Sequence, residues 1–249
     1  NVGMLAGAGM PGARVPLIAA DHLDTVRAAG MLIVAIYPEI VTENLLKADY
    51  AVWWLLNYPG FLKRNWDGRH DWADRVISFG AEVGKQCKCN AELNYPLYDP
   101  EFFFPNDDVA KTEITYYVHR IFNVAQTIDA PVQPTCVLNP ENNLSYRQLR
   151  AILWKSKVII SHEWSGTLVI AQLCGVPVIL MPSPALSPDV NYGGEGSPGL
   201  AWGYSEQNIA AARQSLDRVM QIHRDRKAAW PEFLAREVGA WIAGVKRKP

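Results

Sequence analysis

The sequence predicts an α/β chain built as two parallel-sheet units, and three observations carry that reading. Short apolar, β-branched runs alternate with helical patterns. Each run stops at a proline, a glycine or a polar residue. Over residues 135–181 strand, helix, strand, helix and strand follow one another directly. Helical crossovers between strands force parallel pairing and right-handed connections.

In chain order, residues 31–37 form an unbroken apolar run ended by Pro38, the pattern of a buried parallel strand. Residues 48–56 read as a compact apolar helix ended by Asn57, Pro59 and Gly60. Residues 75–79 read as a strand ending at Gly80, and 92–97 as a weaker one. The stretch 98–108, with two prolines and four acidic residues, closes the first unit. The expected domains are therefore 1–108 and 109–249.

In the second half, 114–118 and 135–138 are β-branched or aromatic strands. Ser145 caps a helix over 146–154, with Gln148 placed to complete a capping box. Strand 157–160, helix 166–174 and strand 176–181 come next, then a Gly/Pro-rich loop over 182–199. Two amphipathic helices, 206–223 and 231–245, end the chain.

Composition excludes several classes of function. The 249 residues are 49% hydrophobic and 20% charged with a net charge of −1, which gives no basic footprint for nucleic acid. The apolar run 167–181 is interrupted by Gln172, Gly175 and Pro177 and cannot span a membrane. No secretory leader is visible, so the chain is expected to be cytoplasmic. The four cysteines, Cys87, Cys89, Cys136 and Cys174, lack zinc-ligand spacing and read as reduced, and the five histidines are scattered, so no metal is expected. Gly7, Gly9 and Gly12 match a dinucleotide-binding spacing, but no strand precedes them and Pro11 lies inside. The glycines of 193–199 lack the Lys-Ser/Thr of a phosphate loop and read as a mobile loop.

Ligands of open parallel sheets bind outside the carboxyl ends of the strands. That rule selects His119-Arg120, the loop Ser161-His162-Glu163-Trp164-Ser165-Gly166, and the loop 182–199. Ser165, Gly166 and Thr167 open a helix, where backbone N–H groups and the helix dipole favour a diphosphate. Glu163 is placed to hydrogen-bond sugar or ribose hydroxyls; its plainer reading is a solvated charge. His162 is a candidate base or diphosphate partner, and otherwise a structural histidine.

Glu163-Trp164-Ser165-Gly166, followed by Ala171-Gln172-Leu173-Cys174-Gly175-Val176-Pro177-Val178, resembles the donor-site segment of GT-B glycosyltransferases. Tyr37-Pro38-Glu39, Asn44 and the segment 52–60 resemble a tyrosine-proline-glutamate segment of bacterial polysaccharide transferases. Asp99-Pro100-Glu101 and Ala201-Trp202-Gly203 fit the same family. The resemblance implies two Rossmann-like units facing across a cleft, the N-terminal one short. It implies transfer of a sugar from a nucleotide-diphosphate sugar to a saccharide or glycolipid acceptor in surface polysaccharide synthesis, with no cofactor beyond that donor. Glu163 would hold the donor, and Arg120, Ser165, Gly166 and Thr167 its diphosphate. Tyr37, Glu39 and Asn44 would meet the acceptor. The donor motif is associated with retention of configuration. Lys246-Arg247-Lys248 is the segment suited to an anionic membrane surface, peripheral to the inner face. A partner protein or a further N-terminal segment would complete the short first unit.

Two departures matter. The family places an acidic residue where Ile170 stands, and residues 1–29 are too short for the usual opening strand, helix and glycine-rich loop. They keep two alternatives open: a non-catalytic transferase-like module supporting a partner, and another sugar-nucleotide enzyme on the same fold, an epimerase or a hydrolase.

Overall fold

The structure is a computed structural model that describes residues 20–57, 70–85, 87–92, 97–119, 131–183 and 198–245. The chain forms two compact units, Asn1–Asn94 with Phe233–Pro249, and Tyr95–Glu232. Each is an α/β body on a parallel sheet.

The first unit contains α1 (Ala20–Ala28), β1 (Val34–Pro38), β2 (Tyr50–Leu55), β3 (Arg75–Ser78), the single turn α2 (Ala81–Gly84) and β4 (Ala91–Glu92). The strands lie in the order β1-β2-β3-β4, all parallel. The stretch expected to be helical over 48–56 is strand β2. Its residues Tyr50, Ala51, Val52, Trp53 and Leu55 are buried on both faces. A short run apolar on every side suits a helix or a central strand equally. Here the β-branched and aromatic side chains and a hydrogen-bonding neighbour on each edge decide for the strand.

Register in this unit is pinned by a repeated device. The residue just before a strand turns its side-chain oxygen onto a backbone N–H of the neighbouring chain segment. Asp49 accepts from Ile33 N–H at 2.8 Å, Asp74 from Ala51 N–H at 2.8 Å, and Asn90 from Val76 N–H at 2.7 Å. Thr135 repeats it in the second unit, its hydroxyl accepting from Ile114 N–H at 2.9 Å. A slip by one residue would break each bond and turn the strand's buried set outward.

The second unit contains β5 (Glu113–Tyr117), β6 (Cys136–Leu138), a 3-10 turn (Pro140–Asn142), α3 (Tyr146–Lys155), β7 (Ser156–Ser161), α4 (Gly166–Leu173), β8 (Val178–Leu180), β9 (Leu200–Trp202) and α5 (Glu206–Gln214). Its sheet runs β6-β5-β7-β8-β9, again all parallel. The capping box at Ser145 and Gln148 is present as expected. Gly175, at φ +74, ends α4 in the left-handed conformation, with Gly175 and Val176 N–H bonded back to Gln172 and Ala171 carbonyls.

The last helix, α6, spans Leu216–Val245; no break separates 223 from 231, and Pro231 lies inside it. Ser215 ends α5 because its hydroxyl donates to Ala212 O at 3.0 Å and accepts Gly199 N–H at 2.8 Å.

The stretch 98–108 packs into the second unit, so the compact units divide between Asn94 and Tyr95 and not after 108. Phe103 is buried in the core formed with α3 and α4. The Arg150 guanidinium lies 4.4 Å from the Phe102 ring centre and 4.5 Å from that of Trp154, and donates to Phe102 O at 2.7 Å. Trp154 Nε1 donates to Phe104 O at 2.7 Å. Arg150→Ala removes a charged donor and its ring contacts together, and is expected to lower stability by about 2 kcal/mol in urea unfolding. Arg150→Lys, with no planar fork to stack, is expected to recover little of it.

Candidate functional site

In the second unit the chain order reverses between β5 and β7: β6 lies on one side of β5, and β7, β8 and β9 follow on the other. In sheets of this order, ligands bind as a rule outside the carboxyl ends of the strands at such a switch point.

Three side chains tie the β7–α4 loop to the end of β5. Ser161, fully buried, donates its hydroxyl to Tyr117 O at 3.0 Å and accepts from Glu163 N–H at 3.1 Å. Glu163 Oε1 accepts from His119 N–H. Ser165 is the N-cap of α4; its hydroxyl accepts Thr167 N–H at 3.0 Å and donates to Tyr117 Oη at 2.9 Å. Glu163, expected as a solvated charge if it held no ligand, is 4% exposed.

Gly166 has a structural reason for lacking a side chain. A Cβ there would overlap Tyr98 Oη and lie 2.9 Å from its Cζ. Burial pushes the Tyr98 phenol up to about 12, with the neighbouring Tyr146 and Tyr117 adding to the effect. The start of α4 is thus bordered by the hydroxyls of Tyr98 and Tyr117.

His162 and Tyr116 lie on the side of the sheet that carries Ile160 and Ile209. Their rings meet edge to face at 5.9 Å. His162 Nδ1 is 3.4 Å from Pro182 O, while Nε2 and Tyr116 Oη have no partner among the described residues. Burial pushes the imidazole below its ordinary value, so it is neutral near pH 7.

Arg120 lies outside the described residues, as do 184–197 of the loop over 182–199. Ile170 is buried in the core of α4, 2% exposed.

Tyr37, Glu39 and Asn44 belong to the first unit but do not form one cluster: Glu39 bonds beside the carboxyl end of β2, whereas Asn44 lies in the turn before β2 and is met there by the Tyr37 hydroxyl. Tyr37 Oη donates to Asn44 Oδ1 at 2.8 Å and accepts Leu46 N–H at 2.9 Å. Asn44 closes the turn by bonding Ala48 N–H and O, each at 2.9 Å. Glu39 accepts Leu56 N–H at 3.2 Å.

Sequence reasoning missed the parts played by Tyr117, Tyr98 and Tyr116, because nothing in a strand or a bridge pattern marks which phenol will face a helix start. All four cysteines are free. Among the described residues no helix is long and apolar enough to cross a membrane, and no group of three metal-ligating side chains gathers.

No protein-family model matches the chain, and no curated protein matches it in sequence. Among solved structures the chain is similar to the glycosyltransferase SnogD from Streptomyces nogalater, with 16% identity over 84% of this chain and 73% of that one, TM-score 0.45. It is also similar to the catalytic domain of starch synthase IV from Arabidopsis thaliana, bound to ADP and acarbose, with 10% identity over 91% of this chain and 76% of that one, TM-score 0.41. Both are similarities of backbone path.

Proposed function

We propose that the chain is a glycosyltransferase of GT-B type that binds a nucleotide-diphosphate sugar on its second unit and transfers the sugar to a saccharide acceptor in surface polysaccharide synthesis. The observation that carries this reading is the capped start of α4 at the β5/β7 switch point. Its support in sequence is the resemblance of the segment 163–178 to a donor site. The leaving diphosphate gathers negative charge as the glycosidic bond breaks. The first turn of α4 at Ser165, Gly166 and Thr167, together with Arg120, supplies backbone dipole and positive charge for it without a metal. Glu163 orients the donor, and Tyr37, Glu39 and Asn44 shape the acceptor side. Calorimetry of the full chain against nucleoside diphosphates and the parent nucleosides tests the reading. Diphosphates are expected to bind and nucleosides to bind far more weakly; equal affinities would remove the helix start from the site.

A non-catalytic nucleotide-binding module is the second reading. It is favoured by Ile170, which sits in the core where the family has an acidic group. Glu163 separates the two. Glu163→Gln keeps an oxygen for His119 N–H, so its melting temperature is expected to stay within a few degrees of the parent's. Glu163→Ala removes the acceptor of His119 N–H and is expected to lose about 1 kcal/mol. In a transferase the Gln variant loses turnover, tenfold for each ~1.4 kcal/mol of transition-state contact. In a module there is no turnover to lose, and diphosphate affinity is unchanged.

A further inference from the structure

The Cys87-Lys88-Cys89 run of the first unit lies outside everything assigned above. Its backbone is folded back on α2: Gly84 O accepts Cys87 N–H at 3.2 Å and lies 3.9 Å from Cys89 Sγ, whose thiol donates to it. The far end of the run is fixed to β3 by Asn90, which bonds Val76 through both its backbone N–H and its side-chain oxygen, each at 2.7 Å. Both cysteine side chains are half-buried and pack against the same apolar core, and both thiols are free.

Cys89 also lines an open cleft of about 320 Å³ at the carboxyl ends of β3 and β4, with Ser78, Asn90 and Glu92 on its walls. A small molecule entering that cleft therefore meets Cys89. Gly84 makes room for the arrangement, since a Cβ there would come within 2.9 Å of Ser78 Oγ and 3.4 Å of Cys89 Sγ.

Two chemistries use a paired thiol. A structural zinc site needs four ligands, and among the described residues no group of three candidate ligands gathers. A disulfide needs only the two sulfurs. Cα atoms two residues apart in a chain lie within roughly 5–7 Å, which overlaps the ~4.4–6.8 Å that a disulfide spans.

We propose that Cys87 and Cys89 are a reversible thiol-modification site, a dithiol that a small disulfide such as oxidised glutathione converts to an intramolecular disulfide. The Cys89 thiolate attacks one sulfur of the glutathione disulfide and displaces one glutathione thiolate. The Cys87 thiolate then attacks Cys89 Sγ and displaces the second. The two thiol protons pass to the two leaving thiolates, so the protein is oxidised by two electrons and the reagent is reduced to two thiols. Burial pushes both thiols above their ordinary value, and Ser78 opposes this at Cys89 by hydrogen-bonding its sulfur. Oxidation draws Cys89 Sγ away from Gly84 O and Ser78 and so reshapes the cleft wall.

The test is intact-mass analysis of the reduced full chain after exposure to oxidised glutathione at pH 8. The expected product has lost the two thiol hydrogens, carries no glutathione, and contains the bond within the peptide holding residues 87–89; dithiothreitol restores the starting mass. Cys87→Ser is expected to stop at a glutathione adduct on Cys89. A parent chain that stays fully reduced, keeps a glutathione adduct, or links either residue to Cys136 or Cys174 overturns the proposal. The parent's mass decides the matter even if the variant does not fold.

Discussion

Gly166→Ala is expected to lower stability by about 3 kcal/mol, at the upper end of what overpacking a core costs. The new methyl group would overlap Tyr98 Oη and stand 2.9 Å from Cζ and 3.3 Å from Cε2. The ring has little room to retreat. It packs edge to face on Phe103 at 6.0 Å, and Phe103 in turn packs on Tyr146 at 5.5 Å. Urea unfolding of Gly166→Ala, Tyr98→Phe and the double variant forms a cycle. The double variant is expected to recover part of the loss, because the overlapping oxygen is gone while Cζ remains close. Additive losses would mean that the two residues do not meet. The same substitution is expected to weaken diphosphate binding, since the displaced phenol borders the first turn of α4.

Acid is expected to destabilise the second unit through His223, which is 8% exposed. Burial, helped by the nearby Arg226, pushes its imidazole from 6.5 down to about 4. The folded chain therefore binds the proton less readily than the unfolded chain. The contribution is fully present above the unfolded value and is lost as pH falls from about 6.5 toward the folded value near 4. The slope is about 1.4 kcal/mol per pH unit, and the total is on the order of 3 kcal/mol. His162, shifted in the same direction by burial, adds to the trend. Urea midpoints of the parent and His223→Leu between pH 7.5 and 4.5 check this. The stability of the parent relative to the variant is expected to be level above about pH 6.5 and to fall below it, and a constant difference between the two proteins down to about pH 4.5 would remove His223 as the cause.

Much of the second unit was legible in the sequence because local and global signals agree there. Strands 114–118, 135–138 and 157–160 are β-branched, Ser145 and Gln148 announce their helix, and Gly175-Val176-Pro177 ends one element and starts the next. The failures share a physical origin in information held by partners distant in the chain. Residues 50–55 are apolar on every side, and only the flanking β1 and β3 make them a strand. The stretch 98–108 reads as a linker by composition, yet its phenylalanines find Arg150 and Trp154 about fifty residues away. The last two helices, expected to divide between 223 and 231, divide instead at Ser215, whose hydroxyl serves Gly199, and Pro231 lies inside α6. Strand β9 was hidden behind a Gly/Pro-rich loop, and β8 supplies the neighbour that defines it.

At the candidate site the loop 161–166 follows the carboxyl end of β7, where the sequence placed it. The sequence did not reveal that Glu163 turns inward to His119 N–H, or that Gly166 is small to accommodate Tyr98. Residue type announces a helix cap; it does not announce what presses against it.

The most direct test of the donor site is amide chemical-shift mapping of the full isotope-labelled chain during titration with uridine, guanosine, adenosine, cytidine and thymidine diphosphates. At least one is expected to shift the amides of His119, Glu163, Ser165, Gly166 and Thr167 in a saturable manner, with small effects on the first unit. If no diphosphate moves those amides, or if the shifts cluster elsewhere, the start of α4 is not a diphosphate site and the glycosyltransferase reading falls with it.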